Sequence, residues 1–214
     1  MLLAAERLFA ERGVGAVSLR EIGAEAGQRN NSAAQYHFGS KPGLVDAIFE
    51  YRMGPINERR LALLADLDAT GRGNDLRSLV EALVEPFAEE ALSASPTWYA
   101  RFIEQAMSEP DVDGFGSLSH PVMRGLREVV ERIGRALSEL PAVLRDHRLA
   151  LAGSLLVHAI AGQERAMQRN AGREPPAATS LLVADLVDAT VGILTAPVST
   201  TTARELRGAR RRSA

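Results

Sequence analysis

The stretch that decides the fold is SLREIGAEAG, residues 18–27, followed eight residues later by YHFGSKPGLVDAIF, residues 36–49. Ser18 with Glu21 three positions on is the capping-box pattern, in which each side chain accepts a hydrogen bond from a backbone amide of the other residue. Gly27 marks the end of that helix, because glycine readily adopts the left-handed backbone that closes a helix. The first part of the stretch therefore predicts a short, well-capped helix.

A polar turn and a second short helix follow. Residues 28–31 are polar and predict the turn, and residues 32–37 predict the helix. Ser40 predicts the start of a longer helix with Pro42 in its first turn, where the missing N–H is harmless. Two short helices joined by a tight turn and braced by a preceding helix form a helix-turn-helix, which places its second helix in a DNA major groove. We therefore predict a helix-turn-helix DNA-binding domain over residues 1–45.

The rest of the chain also predicts helices. Apolar residues recur at three- and four-residue spacing without alternation of period two, so the fold class is all-α. We expect a larger helical ligand-binding and dimerisation domain over residues 46–196, giving about nine helices. Within it, Pro55 predicts a kink or interruption of the connecting helix, and residues 66–74 predict a loop. Residues 197–214 carry five arginines, one glutamate and no apolar stripe, which predicts a disordered basic tail.

Composition excludes several classes of protein. The 214 residues include no cysteine, which rules out disulfide scaffolds, thiol nucleophiles and cysteine-ligated zinc. The N-terminal residues 1–13 carry two glutamates and two arginines and match no signal peptide. The longest apolar region, residues 149–162, contains His158 and is shorter than the about 20 residues that span a bilayer. We expect a soluble, cytoplasmic protein with no membrane partner.

The side chains around the predicted turn suit recognition of double-stranded DNA. Asn and Gln can present a paired donor and acceptor to adenine, and arginine can address guanine. Tyrosine, histidine and lysine can bind phosphates, and Lys41 is the single lysine in an arginine-rich chain. The candidate DNA-binding residues are Arg20, Asn30, Asn31, Ser32, Gln35, Tyr36, His37 and Lys41.

The charge of this region limits how it can bind DNA. Residues 1–52 contain six basic and six acidic side chains, so their net charge is zero. Affinity must then come from the placement of a few residues, and we expect contacts to about 3–5 phosphates per protomer. The chain as a whole, with 25 basic and 27 acidic residues, is no bulk binder of polyanions.

The same stretch resembles the DNA-binding domain of the TetR family of bacterial transcription regulators. The family pattern is a short helix ending in Ala-Gly, a turn, and then Tyr-x-His/Tyr-Phe-x-x-Lys-x-x-Leu. It is matched here by Ala26, Gly27, Tyr36, His37, Phe38, Lys41 and Leu44, and AERLFAERG at residues 5–13 matches the first helix. The turn is one residue longer than the common pattern. The resemblance covers residues 1 to about 50 and implies a two-fold dimer with an effector pocket in a helical body.

The body contains aromatic and sulfur-bearing residues that could line such a pocket. Periodicity alone favours a plain hydrophobic core for them, whereas the resemblance favours a pocket for a small-molecule effector. Polar side chains among them could contact the effector. The candidate ligand-binding residues are Phe87, Trp98, Arg101, Phe102, Gln105, Met107, Phe115, Met123 and His158.

The last two body helices are apolar almost all round. Such helices must bury two faces, one against their own domain and one against something else. A second copy related by a two-fold axis, giving a four-helix interface, is the simplest solution and is also what the resemblance implies. The alternative is a position at the centre of a monomer. The candidate interface residues are Leu155, Ala159, Leu182, Leu186, Val187 and Val191.

Catalysis finds little support in the sequence. The four histidines have no metal-ligand spacing, and we expect no metal site, no cofactor and no catalytic residue. The leading hypothesis is a ligand-responsive transcription regulator, most simply a repressor released from a palindromic operator by a small apolar or amphipathic molecule. The alternative is a helical binding protein or enzyme that has kept the helix-turn-helix only as a scaffold.

Overall fold

The computed structural model describes residues 1–28, 33–93, 97–109, 121–170 and 176–212. All regular elements in these ranges are helical, which confirms the predicted all-α class. A 3-10 turn covers Pro121–Met123. The α-helices are α1 (Leu2–Arg12), α2 (Leu19–Glu25), α3 (Ala33–Phe38), α4 (Lys41–Ala69), α5 (Leu76–Ala91), α6 (Tyr99–Ala106), α7 (Arg124–Ala136), α8 (Ala142–Arg169), α9 (Pro176–Thr195) and α10 (Thr200–Arg212).

The three N-terminal helices pack around a small apolar centre. Helix α1 ends where the sequence predicts, at Gly13, whose φ of 87° lies in the left-handed region. Phe9 of α1 and Ile22 of α2 are fully buried. Helix α3 packs against α2 and against the start of α4. This is the arrangement of a helix-turn-helix unit.

Helix α4 is one continuous helix of 29 residues, so the predicted interruption at Pro55 is wrong. Pro55 removes one backbone donor, but the carbonyl that loses its partner belongs to Tyr51, which is half exposed and can bind water instead. The helix also continues into the predicted loop at 66–74 and ends at Ala69, followed by Gly71 with φ of 71°. A long rigid helix thus joins the helix-turn-helix to the body.

The body helices pack around a core that is continuous with that of the N-terminal unit. Helices α5 and α7 lie against α4, and α9 lies against α5 and α8. Helix α6 lies between α1 and α8 and packs against both. Phe102 of α6, for example, stacks on Phe9 of α1, with ring centroids 6.2 Å apart. The two predicted domains therefore share apolar contacts instead of being joined only by a linker.

The C-terminal tail corrects the prediction of disorder, because Thr200–Arg212 forms helix α10. Ser199 caps it, its Oγ accepting a hydrogen bond from the amide of Thr202 at 3.2 Å. Alanine, leucine, arginine and glutamate all favour helix, which outweighs the missing apolar stripe. No single helix in the described ranges is long and apolar enough to cross a bilayer. The pair Thr179–Thr195 and Thr200–Gly208, bent by 54°, passes that test only when taken together.

Candidate DNA-reading surface and ligand cavity

The start of α2 is fixed by the predicted capping box. The Oγ of Ser18 accepts a hydrogen bond from the Glu21 amide at 3.2 Å, and Glu21 Oε2 accepts one from the Ser18 amide at 2.8 Å. The backbone and side-chain hydrogen bonds from Ser18, with one from Arg12, lower the pKa of Glu21 to about 2. This cap sets the register of α2 and leaves the neighbouring side chain of Arg20 exposed.

Helix α3 presents a polar surface to solvent. Gln35, Tyr36 and His37 are all exposed, and Tyr36 is 85% exposed, an unusual degree for a tyrosine. The rings of Tyr36 and His37 meet edge to face with centroids 5.4 Å apart. The Nε2 of Gln35 donates to the Gly39 carbonyl at 3.0 Å. The other three residues predicted for this surface, Asn30, Asn31 and Ser32, lie outside the described residues.

Lys41 has an internal contact that the sequence did not indicate. Its Nζ donates hydrogen bonds to the carbonyl oxygens of Val14 at 3.0 Å and Gly15 at 3.1 Å. The single lysine thereby holds the loop between α1 and α2 against the first turn of α4. An ammonium has three donors. A phosphate contact from Lys41 would add a third acceptor to a group that already has a structural role.

The junction between α3 and α4 depends on Gly43. Ser40 caps α4, its Oγ accepting from the Gly43 amide at 3.1 Å. A Cβ on Gly43 would lie 2.3 Å from the carbonyl oxygen of Phe38, closer than any real contact. Only glycine lets the end of α3 approach α4 this closely, which fixes how α3 projects from the unit.

A buried ion-pair cluster joins the helix-turn-helix unit to the body. Glu6 of α1 accepts two hydrogen bonds from Arg52 of α4, which also bonds Glu90 of α5 at 2.6 Å. Burial works against the charge of Arg52, but the carboxylates outweigh it and raise its pKa. Glu6 also accepts from the Trp98 amide at 3.1 Å, just before α6. The carboxylate of Glu6 thus ties α1 directly to α4 and to the residue before α6, and through Arg52 it is linked to α5.

Helix α6 and the residues that follow it bond the helix-turn-helix unit at two places. Near its start, Arg101 Nη2 donates to the Ala10 carbonyl at 3.3 Å, and beyond its end the Gly15 amide donates to Glu109 at 2.8 Å. Gly15 is also one of the two acceptors for Lys41. The loop between α1 and α2 is therefore bonded both by α4, through Lys41, and by the segment after α6, through Glu109.

The start of α6 is capped by a buried carboxylate from α8. Glu164, 2% exposed, accepts from the amide of Arg101 at 3.1 Å and from the hydroxyl of Thr97 at 2.8 Å. Burial raises the pKa of Glu164 to about 7, although these hydrogen bonds oppose the shift. The position of α6 relative to α8 therefore depends on a group that titrates near neutral pH.

The body contains a partly open apolar cavity of about 390 Å³, within the usual range of small-molecule sites. Helices α4, α5, α6, α7 and α8 contribute most of its wall, and α9 contributes its last turn. Apart from Arg60 and Ser154, the described lining side chains are apolar. They are Met53, Leu83, Phe87, Ile103, Met107, Leu126, Val130, Ile133, Leu149, Ala150, Ala152, Leu156, Val157 and Leu194, with Gly153.

Arg60 is the one ionisable side chain among the described lining residues. It is 2% exposed and donates to Asn57 Oδ1 at 3.1 Å and to the Leu83 carbonyl at 3.0 Å, while its Nε has no hydrogen-bond partner among the described residues. Burial lowers its pKa to about 10, so it stays cationic at neutral pH. The wall therefore contains a permanent positive charge.

Comparison with known families matches both parts of the chain. Residues 1–48 match the family described as "Bacterial regulatory proteins, tetR family". Residues 81–192 match a second one, described as "Tetracyclin repressor-like, C-terminal domain". The chain belongs to the TetR family. It is accordingly a DNA-binding transcription regulator with a helix-turn-helix reader and a helical C-terminal domain. A search of curated proteins found no match.

The cavity of this TetR-family protein contains two of the residues predicted to bind ligand, Phe87 and Met107. Two others are core residues and are not among those lining it: Phe102 packs between aromatic rings of α1 and α4, and Met123 is 1% exposed. Periodicity cannot distinguish a cavity wall from a filled core, because both are apolar on the same helix face. Phe115 lies outside the described residues.

Trp98 and the three polar candidates for ligand binding, Arg101, Gln105 and His158, are not among the residues that line the cavity. Arg101 stacks over the Trp98 ring, 4.9 Å from its centroid, and bonds Gln168 at 2.8 Å. The side chain of Gln105 lies against α1 near Gly13. His158 is exposed and lies 2.8 Å from Glu104, which also binds Arg165. We therefore withdraw the four residues as cavity contacts; they belong to contacts between helices or to the surface.

The polar residue that the sequence analysis missed is Arg60. It follows Arg59 in the run NERRLALL, which suggests an exposed face. One signal was present: Arg60 is four residues after Ile56 and four before Leu64, so it shares the buried stripe of α4 with them. An arginine on such a stripe must be paired, or face a cavity.

The predicted dimer residues divide into two groups. Leu186 and Val187 are 4% and 3% exposed within the single chain. Their side chains are buried in the protomer's own core, so the prediction that they form the dimer interface is wrong. Leu155, Ala159, Leu182 and Val191 are half buried. The large apolar side chains that are exposed on α8 and α9 are Val143 at 58%, Leu151 at 61% and Leu181 at 72%. The outward face is thus rotated from the predicted one.

Proposed function

We propose that this chain is a homodimeric, ligand-responsive repressor, released from a palindromic operator when a small apolar or amphipathic molecule enters the body cavity. The observation that carries the proposal is the position of α6. Ile103 of this helix and Met107 directly after it line the cavity, while Arg101 on the same helix bonds the backbone of α1. A ligand that shifts α6 would therefore act directly on the helix-turn-helix unit.

On the DNA side, the proposal gives base contacts to Arg20 and Gln35, and to Asn30, Asn31 and Ser32 around the turn. Tyr36 and His37 would bind phosphates, because their exposed polar groups are carried by the same short helix. Lys41 would add a phosphate contact where its ammonium already holds the loop between α1 and α2. The zero net charge of residues 1–52 keeps the expected phosphate contacts at about 3–5 per protomer.

For the response, we propose that the ligand selects a conformer in which α6 and α4 no longer hold α1 in the DNA-binding position. Both helices line the cavity, α4 through Met53 and Arg60. The loop between α1 and α2 is bonded by Lys41 of α4 and by Glu109, which follows the end of α6. Near-complete release, from 99:1 bound to 1:99, requires a preference for the released conformer of about 5 kcal/mol. One ligand in this cavity can prefer the released conformer by that amount only if the cavity wall differs between the DNA-binding and released conformers.

For assembly, we propose that a second copy packs on the outward faces of α8 and α9. Leu151 and Leu181 are exposed there, and small residues such as Gly162 and Ala166 would let helices approach closely. A two-fold axis through this face would set two α3 helices about 34–36 Å apart, one turn of DNA. Binding to chromosomal DNA would place the regulator in the cytoplasm.

The test is a gel-shift series with fragments from around the protein's own gene, repeated at several salt concentrations. The expected result is one fragment with a palindromic site that is bound at least about 1,000-fold more tightly than unrelated DNA. Light scattering should show a dimer, and Leu181→Glu should produce monomers that fold but bind the site weakly. Absence of binding to every fragment at low salt would overturn the proposal.

A further inference from the structure

We infer that the effector is an amphipathic monoanion, a molecule with an apolar body and a single carboxylate that pairs with Arg60. The inference deepens the proposed function and rests on it, because it takes the body cavity as the effector site. It commits to a class of ligand: medium-chain or compact aromatic carboxylates, in preference to neutral molecules of the same size.

The charge of Arg60 is the first step of the argument. No carboxylate among the described residues forms an ion pair with its guanidinium, whose hydrogen-bond acceptors are both neutral. The phenol of Tyr99 interacts with Arg60 but supplies no charge at neutral pH, because burial raises its pKa well above the usual value. Burying a cation without a counter-ion is costly, and proteins ordinarily pair such a group or neutralise it. With a pKa of about 10 it is not neutralised at pH 7, so a counter-ion must come from outside the described chain.

The hydrogen bonds of Arg60 are the second step. A guanidinium has five N–H donors. The bonds to Asn57 and to the Leu83 carbonyl each join one nitrogen to a neutral acceptor, and Nε has no partner. Neutral acceptors hold the group in place without compensating its charge. A ligand carboxylate at the cavity wall would supply that charge and accept from the remaining Nη hydrogens.

The rest of the cavity wall indicates the polarity and the size of the part of the ligand that carries no charge. Beside Arg60, Ser154 is the other polar side chain among the described lining residues. One charge on an otherwise apolar wall selects a molecule with one anionic end and no other polar group. If each non-hydrogen atom takes roughly 30 Å³, as a water does in the liquid, 390 Å³ holds about a dozen of them. Decanoate has that size and serves as the probe.

The experiment compares decanoate with decanol by titration calorimetry at pH 8, below their aggregation limits, on the full-length protein. Decanoate should bind wild-type protein at least about tenfold more tightly than decanol. Arg60→Met should remove that preference and leave the decanol affinity within about threefold. Arg59→Met changes the neighbouring, exposed arginine of the same helix and should keep the preference.

A further variant checks that the probe enters this cavity. Gly153 lines it, and a Cβ built there meets no atom within 4 Å, so Gly153→Leu should fill space without disturbing α8. It should weaken both probes at least about tenfold while the melting temperature is kept. Equal binding of both probes to Gly153→Leu and wild type would place the site elsewhere and overturn the inference.

Other outcomes separate this inference from the proposed function. If decanol binds wild-type protein as tightly as decanoate, or if neither probe binds, the carboxylate class is wrong, while operator binding and its release by other molecules stay open to their own assay. If decanoate binds through Arg60 but does not release the operator fragment, the assigned ligand class stands and the proposed response fails. Unfolding of Arg60→Met is checked by its melting curve, and Arg60→Gln replaces it if necessary.

Discussion

Arg52 of α4 and Glu6 of α1 form a two-point ion pair, with Nε 2.7 Å from Oε2 and Nη2 2.9 Å from Oε1. Glu6 is 1% exposed, and the side chain of Arg52 is 12% exposed. The pair therefore lies inside the protein, where the DNA-reading unit meets the sensor body. It makes the position of α1 dependent on α4, independently of the apolar contacts around it.

Arg52→Met should strongly destabilise the protein, because it leaves the carboxylate of Glu6 buried without its partner. We expect a loss of about 3–5 kcal/mol in the free energy of unfolding, measured by urea denaturation. Arg7→Met is the control, since Arg7 pairs with Glu25 at an exposed site and should cost less than about 1 kcal/mol. Equal losses in the two variants would show that Arg52 has no special structural role.

Glycine-to-alanine changes should have opposite signs at Gly125 and Gly134. A Cβ on Gly125 of α7 would lie 2.6 Å from the Asn57 carbonyl of α4, so the two helices would have to separate, at a cost of about 1–3 kcal/mol. A Cβ on Gly134 of α7 meets only Arg145 Cδ at 4.0 Å, an ordinary contact distance, and alanine there should stabilise by up to about 1 kcal/mol. Thermal unfolding of both variants checks the prediction. A Gly125→Ala protein as stable as wild type would contradict the close packing of α4 on α7.

Glu164→Gln should change how stability depends on pH. Burial raises the pKa of Glu164 from 4.5 unfolded to about 7 folded, so the folded state binds the extra proton between those values. Its contribution to stability is therefore complete below pH 4.5 and is lost as the pH rises through 7, by about 1–3 kcal/mol in total. Gln cannot ionise, so the variant should gain stability relative to wild type from pH 5 to pH 8. If the free energy of unfolding changes with pH in the same way for both proteins over that range, the pKa of Glu164 is not raised.

Tyr36→Phe and Gln35→Ala should affect DNA binding in different ways. If the exposed hydroxyl of Tyr36 binds a phosphate, its loss should weaken operator and unrelated DNA by the same factor, about fivefold. Gln35→Ala should instead reduce the ratio between operator and single-mismatch sites. Gel shifts at fixed salt measure both. A sequence-dependent effect of Tyr36→Phe would assign that residue to base readout.

Lys41→Met should act on both stability and DNA binding, which distinguishes it from Tyr36→Phe. Losing the hydrogen bonds to Val14 and Gly15 should lower the free energy of unfolding by about 1 kcal/mol, because the site is partly open to solvent. If Lys41 also binds a phosphate, the salt dependence of DNA binding should fall by about one contact per protomer. A change in stability with an unchanged salt slope would leave Lys41 a purely structural role.

The sequence alone determined the helical class, the capped start of α2 and the end of α1 at Gly13, because these depend on neighbours within about four residues. It also carried the family resemblance, because that motif is a pattern of residue types along residues 1 to about 50. Tertiary structure decided what periodicity leaves open. Residues far along the chain decide whether Phe102 lies in the core and Phe87 in a cavity wall. They also decide whether Leu186 is buried within the protomer and whether Arg60 has a counter-ion. The ammonium of Lys41 is the clearest case, since its acceptors lie 26 and 27 positions away. The sequence gives the chemical type of each side chain, but tertiary packing determines which groups that side chain contacts.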